Sequence, residues 1–167
     1  QSNDNHRYYV DGSLTTTDVY FSGSWHTVLI GTLGAGGRGV FALDVTDPDN
    51  VTLLWEFTSD TAASKTCDEA NNCLSDLGYS IPTPVTARLH NGKWGVVLPN
   101  GYNSANNNSG KAVLFVIDVE TGAVVKKLDA QGAATTNGLS TPRLADNNSD
   151  GVADYAYAGD LQGNLWR

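Results

Sequence analysis

The chain has 167 residues, enough for one domain with a sizeable core. Ten Lys and Arg against eighteen Asp and Glu leave a formal net charge of −8, which excludes the basic patches that nucleic-acid or anionic-membrane binding requires. No stretch approaches the roughly 20 apolar residues of a membrane span. Eighteen Gly, seven Tyr and four Trp with no Met, and Asn and Asp crowded between apolar runs, describe an all-β chain.

Taken in chain order, Arg7–Ser13 and Thr17–Ser22 read as a first strand pair, supplying the inner strand and outer edge of an earlier blade. Trp25–Gly31 follows as a strand. Next comes Gly34-Ala-Gly36-Gly-Arg-Gly39, which matches G-x-G-x-x-G but is followed by Val40-Phe-Ala-Leu-Asp-Val. A dinucleotide site needs a helix N-terminus at that point, so a glycine-rich hairpin is the better reading. Asp44-Val-Thr-Asp47-Pro-Asp49-Asn50 has cation-binding residue types at irregular spacing and reads as a solvated turn before the strand Thr52–Phe57. Cys67 and Cys73 have neither metal-site nor C-x-x-C spacing; a small-loop disulfide in an oxidising compartment suits them better than two free thiols. Strands are expected again at Lys93–Pro99, Ala112–Val119 and Val124–Leu128. His6, His26 and His90 have no ligand neighbour in sequence and read as surface or packing residues, and Trp25, Trp55, Trp94 and Trp166 as packing between units.

After the segment Ser140-Thr-Pro-Arg-Leu comes Asp146-Asn-Asn148-Ser-Asp150-Gly151-Val152-Ala-Asp154. Oxygen ligands stand at loop positions 1, 3, 5 and 9, a glycine at 6, and at 7 a residue whose carbonyl serves, the spacing of a calcium loop. Three carboxylates in so short a segment repel one another unless a dication neutralises them. A plain acidic turn draws on the same residue types but needs fewer of them. The loop departs from an EF-hand, because position 12 is Tyr157 rather than Glu and Asp154-Tyr-Ala-Tyr-Ala reads as a strand. The candidate metal ligands are therefore Asp146, Asn148, Asp150, Val152 and Asp154, with Ca²⁺ as the ion and no catalytic set.

The strand groups repeat, with Gly31, Gly101 and Gly159 closing the first strand of each. A short antiparallel meander cannot bury both its faces alone, so units must stack. The expectation is a partial β-propeller of about three blades spanning 1–167, with the calcium loop at 146–154, and the abrupt finish at Leu165-Trp166-Arg167 reads as a piece of a larger protein.

The segment from Asn137 to Arg167, together with Tyr9-Val-Asp-Gly-Ser, Gly34-Ala-Gly-Gly-Arg-Gly-Val-Phe-Ala-Leu-Asp-Val and Gly92-Lys-Trp-Gly-Val-Val-Leu-Pro-Asn-Gly-Tyr-Asn-Ser, resembles the C-terminal propeller of the PilY/PilC family of type IV pilus biogenesis proteins and tip-associated adhesins. The resemblance implies a non-enzymatic module at the bacterial surface, outside the cell or bound to the pilus. It also implies minor pilins at the pilus tip and a host-cell surface receptor as partners, and a calcium loop that balances pilus extension against retraction. The segment has no Arg-Gly-Asp tripeptide. The repeats ending in A-L-D-V and L-W-E-F are also similar to quinoprotein dehydrogenases, the alternative reading, but no quinone-site constellation is recognisable in the chain.

Overall fold

The computed structural model describes residues 6–58, 76–104, 111–130 and 136–167. Eleven strands are named among them: β1 (Leu14–Phe21), β2 (Ser24–Thr32), β3 (Gly39–Asp44), β4 (Thr52–Thr58), β5 (Val85–Arg88), β6 (Trp94–Pro99), β7 (Val113–Asp118), β8 (Val124–Asp129), β9 (Arg143–Ala145), β10 (Tyr155–Gly159) and β11 (Leu165–Trp166). They form three antiparallel meanders: a four-stranded sheet β1-β2-β3-β4, a four-stranded sheet β5-β6-β7-β8, and a three-stranded sheet in which β10 lies between β9 and β11. This is the expected partial propeller.

The repeat is finer than the alternation of apolar residues reveals. Each full blade carries a register shift at the same place, between Ala42 and Leu43 on β3 and between Val116 and Ile117 on β7. Each also ends its third strand in an aspartate that organises the following turn. Asp44 accepts from the Thr46 N–H and hydroxyl and meets His26 on β2 at 2.7 Å. Asp118 accepts from the Glu120 and Thr121 N–H groups and from the Lys93 ammonium, just before β6, at 2.7 Å. Burial works to raise the Asp44 carboxyl, but the Thr46 contacts and His26 outweigh it and hold it below its usual range. The Asp44–Asn50 segment is thus a self-satisfied turn, with Asp47 likewise capping the Asp49 N–H.

Packing follows from the same alternation. Val28 and Ile30 of β2, Val40 and Ala42 of β3, and Trp55 and Phe57 of β4 form one core with Val96 and Leu98 of β6 and Val113, Phe115 and Ile117 of β7. The intervening residues Val97 and Leu114 face the other way, into a second core with Leu139 and Ala158. The two inner strands of the middle blade, β6 and β7, are buried on both faces, which is why they are nearly continuous apolar runs. A cleft of about 720 Å³ opens between the second and third blades, lined by Leu114, Leu128, Ala156 and Trp166 among others.

Several expectations need correction. Arg7–Ser13 forms no strand, and Thr17–Phe21 belongs to β1, hydrogen-bonded to β2 in the same blade rather than in an earlier one, with Ser22 in the turn that follows. Gly31, Gly101 and Gly159 therefore go with the second strand of each blade, within it, just beyond it and at its end respectively, not with the first. Trp25, on β2, is 63% exposed, whereas Trp55 is buried in the first core and Trp94 and Trp166 are partly buried against the first and second cores respectively; the four tryptophans occupy second, third and fourth strands, so they are not equivalent packing residues. The glycine-rich segment is a short 3-10 turn at Gly34–Gly36 feeding directly into β3. A side chain on Gly36 would clash with the Tyr9 carbonyl, so close backbone approach explains that glycine without a phosphate. Cys67 and Cys73 lie outside the described residues.

Candidate metal centre

The loop 146–154 joins β9 to β10, the first-to-second strand connection of the third blade. The same connection in the first blade is the two-residue turn Ser22-Gly23, both residues left-handed at φ 49° and 87°, as a tight twisted hairpin requires. In the second blade it is the five-residue segment 89–93. Length is therefore added at one position of a repeating meander, at the blade end where the third-to-fourth strand turns also lie.

The hydrogen bonds of Asp146 organise the loop. One of its carboxylate oxygens accepts the Ser149 N–H at 2.6 Å and the Asp150 N–H at 3.3 Å, and the other accepts the Gly151 N–H at 2.7 Å. The Gly151 N–H is the largest influence holding the Asp146 carboxyl below its usual range; desolvation, next in size, opposes it, and the Ser149, Asp150 and Asn148 N–H groups tip the balance downward. Left-handed Ser149 and Gly151, at φ 63° and 82°, turn these N–H groups inward. Asp150 accepts the Val152 N–H at 2.8 Å and meets the Asn148 amide at 3.0 Å. Asp154 accepts the Asn147 N–H at 2.8 Å and donates its own N–H to the Ala145 carbonyl at 2.9 Å, closing the neck.

The structure thus brings Asp146, Asn148, Asp150, Val152 and Asp154 into one compact loop, with residues 146–151 exposed. Among the described residues no three His, Cys, Asp or Glu side chains converge as a metal cluster; the loop's carboxylates bond mainly to backbone N–H groups and near neighbours. The donor set still fits a hard cation. A carboxylate offers about four lone-pair sites, and Asp146, the most engaged, accepts three hydrogen bonds. Oxygen-only donors match calcium.

Sequence reasoning missed the loop's neighbour. His90, on the 89–93 turn of the second blade, places Nε2 3.1 Å from the Asp154 carboxylate, and the Ala153 N–H donates to the Arg88 carbonyl at 3.1 Å. The loop is therefore docked onto the adjacent blade. No local signal could have shown this, since His90 and Asp154 are far apart in sequence and meet only through blade stacking.

A family model described as the PilY1 β-propeller domain matches residues 2–167. The chain belongs to the PilY1 β-propeller family. It is 61% identical over 163 residues to a type IV pilus biogenesis factor PilY1 of Pseudomonas aeruginosa, covering 97% of this chain and 13% of that protein. It is 42% identical over 163 residues to a PilY1 homolog of Xylella fastidiosa, covering 97% of this chain and 12% of that protein. The crystal structure of the Pseudomonas aeruginosa PilY1 C-terminal domain superposes with a TM-score of 0.80 at 61% identity, over 95% of this chain and 30% of that one. The chain thus spans about an eighth of the length of these PilY1 relatives, and the fold and family expected from the resemblance hold. No described helix is long and apolar enough to cross a membrane.

Proposed function

We propose that this chain is a calcium-binding arc of a type IV pilus protein's propeller, acting without catalysis as a regulated interaction module at the bacterial surface. The observation that carries the reading is the docked loop: an acidic nine-residue insertion at an otherwise short turn, fastened to the next blade through Asp154–His90 and Ala153–Arg88. PilY1 relatives are named biogenesis factors, which supports a non-enzymatic role and a place at the pilus.

Asp146, Asn148, Asp150, Asp154 and the Val152 carbonyl would hold the ion, which supplies charge neutralisation of three carboxylates when bound. An ion shifts an equilibrium only by its differential affinity for two states. Here the difference lies in a loop whose charges repel when it is empty and which is tied to a neighbouring blade. Minor pilins at the pilus tip and a host-cell receptor are the partners that would read the surface it shapes, and the balance of pilus extension and retraction is the output.

Isothermal titration of the full-length protein with CaCl₂, beside Asp150→Ala, tests the site. The variant is expected to lose the heat of the site at this loop, and an unchanged isotherm would reject the assignment. Pilus counts and twitching in cells carrying Asp154→Ala test the regulatory role. Wild-type behaviour in a variant shown not to bind calcium at this loop would reduce the ion to a structural part.

A further inference from the structure

We infer that the cleft between the first and second blades, on the same rim as the loop 146–154, binds a single pyranose ring of a glycan. The inference does not depend on calcium. Tyr20 and Trp25, cross-strand partners on β1 and β2, meet edge to face at 5.6 Å, and Trp25 meets Trp94 of the next blade at 6.2 Å. Tyr20 and Trp25 remain 48% and 63% exposed. Isolated exposed aromatics are ordinary, but here Trp25 links Tyr20 to Trp94 across a blade boundary and gathers three aromatics at one place.

Tyr20 and Trp94 line the adjacent cleft, which has a volume of about 220 Å³ and an otherwise polar wall, with Trp25 flanking it. Lys93 and Asp118 pair in that wall at 2.7 Å, and the Ser22 hydroxyl donates to Glu120 at 2.5 Å. This size is below the roughly 300 Å³ at which drug-sized pockets begin and suits one ring. The chemistry narrows the occupant further. A pyranose presents an apolar C–H face to aromatic rings and, at its edge, hydroxyls that both donate and accept. The cleft offers both counterparts: an ammonium that donates, and carboxylates whose remaining lone pairs accept. A cationic occupant would find the aromatic rings and Glu120 favourable, but the Lys93 ammonium stands in the same wall and repels it.

The test is titration of the full-length protein with the methyl glycosides of glucose, galactose and mannose, and with tetramethylammonium. Tryptophan fluorescence and calorimetry report binding, beside Tyr20→Ala and Glu120→Gln. Saturable binding of at least one glycoside is expected. Tyr20→Ala should weaken it about tenfold, the loss expected when one aromatic contact of about 1.4 kcal/mol is removed. Glu120→Gln, which leaves the aromatic wall intact, should weaken it less. Circular dichroism should be unchanged in Tyr20→Ala, because the side chain is about half exposed. No binding of any glycoside, equal binding by wild type and Tyr20→Ala, or binding of tetramethylammonium in preference to the glycosides would each overturn the inference.

Discussion

Asp118 has its side chain almost wholly buried, at 5% exposure, while its partner Lys93 is 57% exposed. Burial works to raise the Asp118 carboxyl, but the Lys93 ammonium and the Thr121 and Glu120 N–H groups outweigh it and hold the pKa below 3.8. A carboxylate whose folded pKa is depressed contributes stability that is full above its unfolded value and is lost as pH falls through the folded one. Asp118→Asn keeps the shape and removes the charge. It should destabilise the full-length protein by about 1.5–3 kcal/mol at neutral pH, the worth of a hydrogen bond to a charged group. The gap from wild type should close as pH drops below 3.8. Denaturant melts at pH 7 and pH 3 measure this, and a gap of constant size would show that the charge is irrelevant. Asp160 is a second such centre. Desolvation there is outweighed by hydrogen bonds from Asn137, Asn164 and Trp166, so it too stays ionised well below the usual carboxylate range.

Blades join through a few specific contacts between strands and turns. Trp55 on β4 of the first blade donates its indole N–H to the Val119 carbonyl of the second at 2.8 Å, and its ring lies against Gly122. Gly122 is left-handed at φ 72°, and a Cβ there would sit 2.7 Å from the Trp55 ring. Gly122→Ala therefore meets backbone strain and overpacking together and should cost about 1–3 kcal/mol. Trp55→Phe loses the hydrogen bond and part of the ring, leaving the buried Val119 carbonyl short of a partner, and should cost about 1–3 kcal/mol. The two residues touch, so the double variant should deviate from additivity; strictly additive losses would mean that this contact does not couple the blades. Phe115, fully buried and edge to face with Phe57 at 5.5 Å, marks the centre of the same interface, and Phe115→Ala should cost about 3–5 kcal/mol.

For the whole molecule, the proposed calcium site would make the ion a stability ligand. An ion that binds only the folded state at 100 times its dissociation constant adds about 2.7 kcal/mol. The full-length protein should therefore melt at higher temperature in calcium than in chelator, and the difference should shrink in Asp150→Ala. Equal calcium shifts in both proteins would place the effect at another site. His90→Ala cuts a side-chain tie between the loop and the second blade while leaving all five proposed ligands. It should preserve binding in calorimetry while loosening the loop's hold on its neighbour, read as faster amide exchange at Ala153 and Asp154. Unaltered exchange would show that the histidine is incidental.

The compact loop 146–154 could be read from sequence because its five candidate ligands lie within nine residues, where spacing alone sets their approach. The middle blade was visible for a related reason: strands buried on both faces leave continuous apolar runs, as in Val96-Val-Leu98 and Val113-Leu-Phe115. Long family-like strings carried the propeller assignment. The short strands β5 and β9 gave weaker signals, since three or four residues hold too little alternation to define a period. The exposure of Trp25, its meeting with Trp94, the His90–Asp154 contact and the mixed polar and aromatic cleft were decided only by stacking. Each joins residues from different blades or depends on which face a neighbour covers, and local spacing does not encode that geometry.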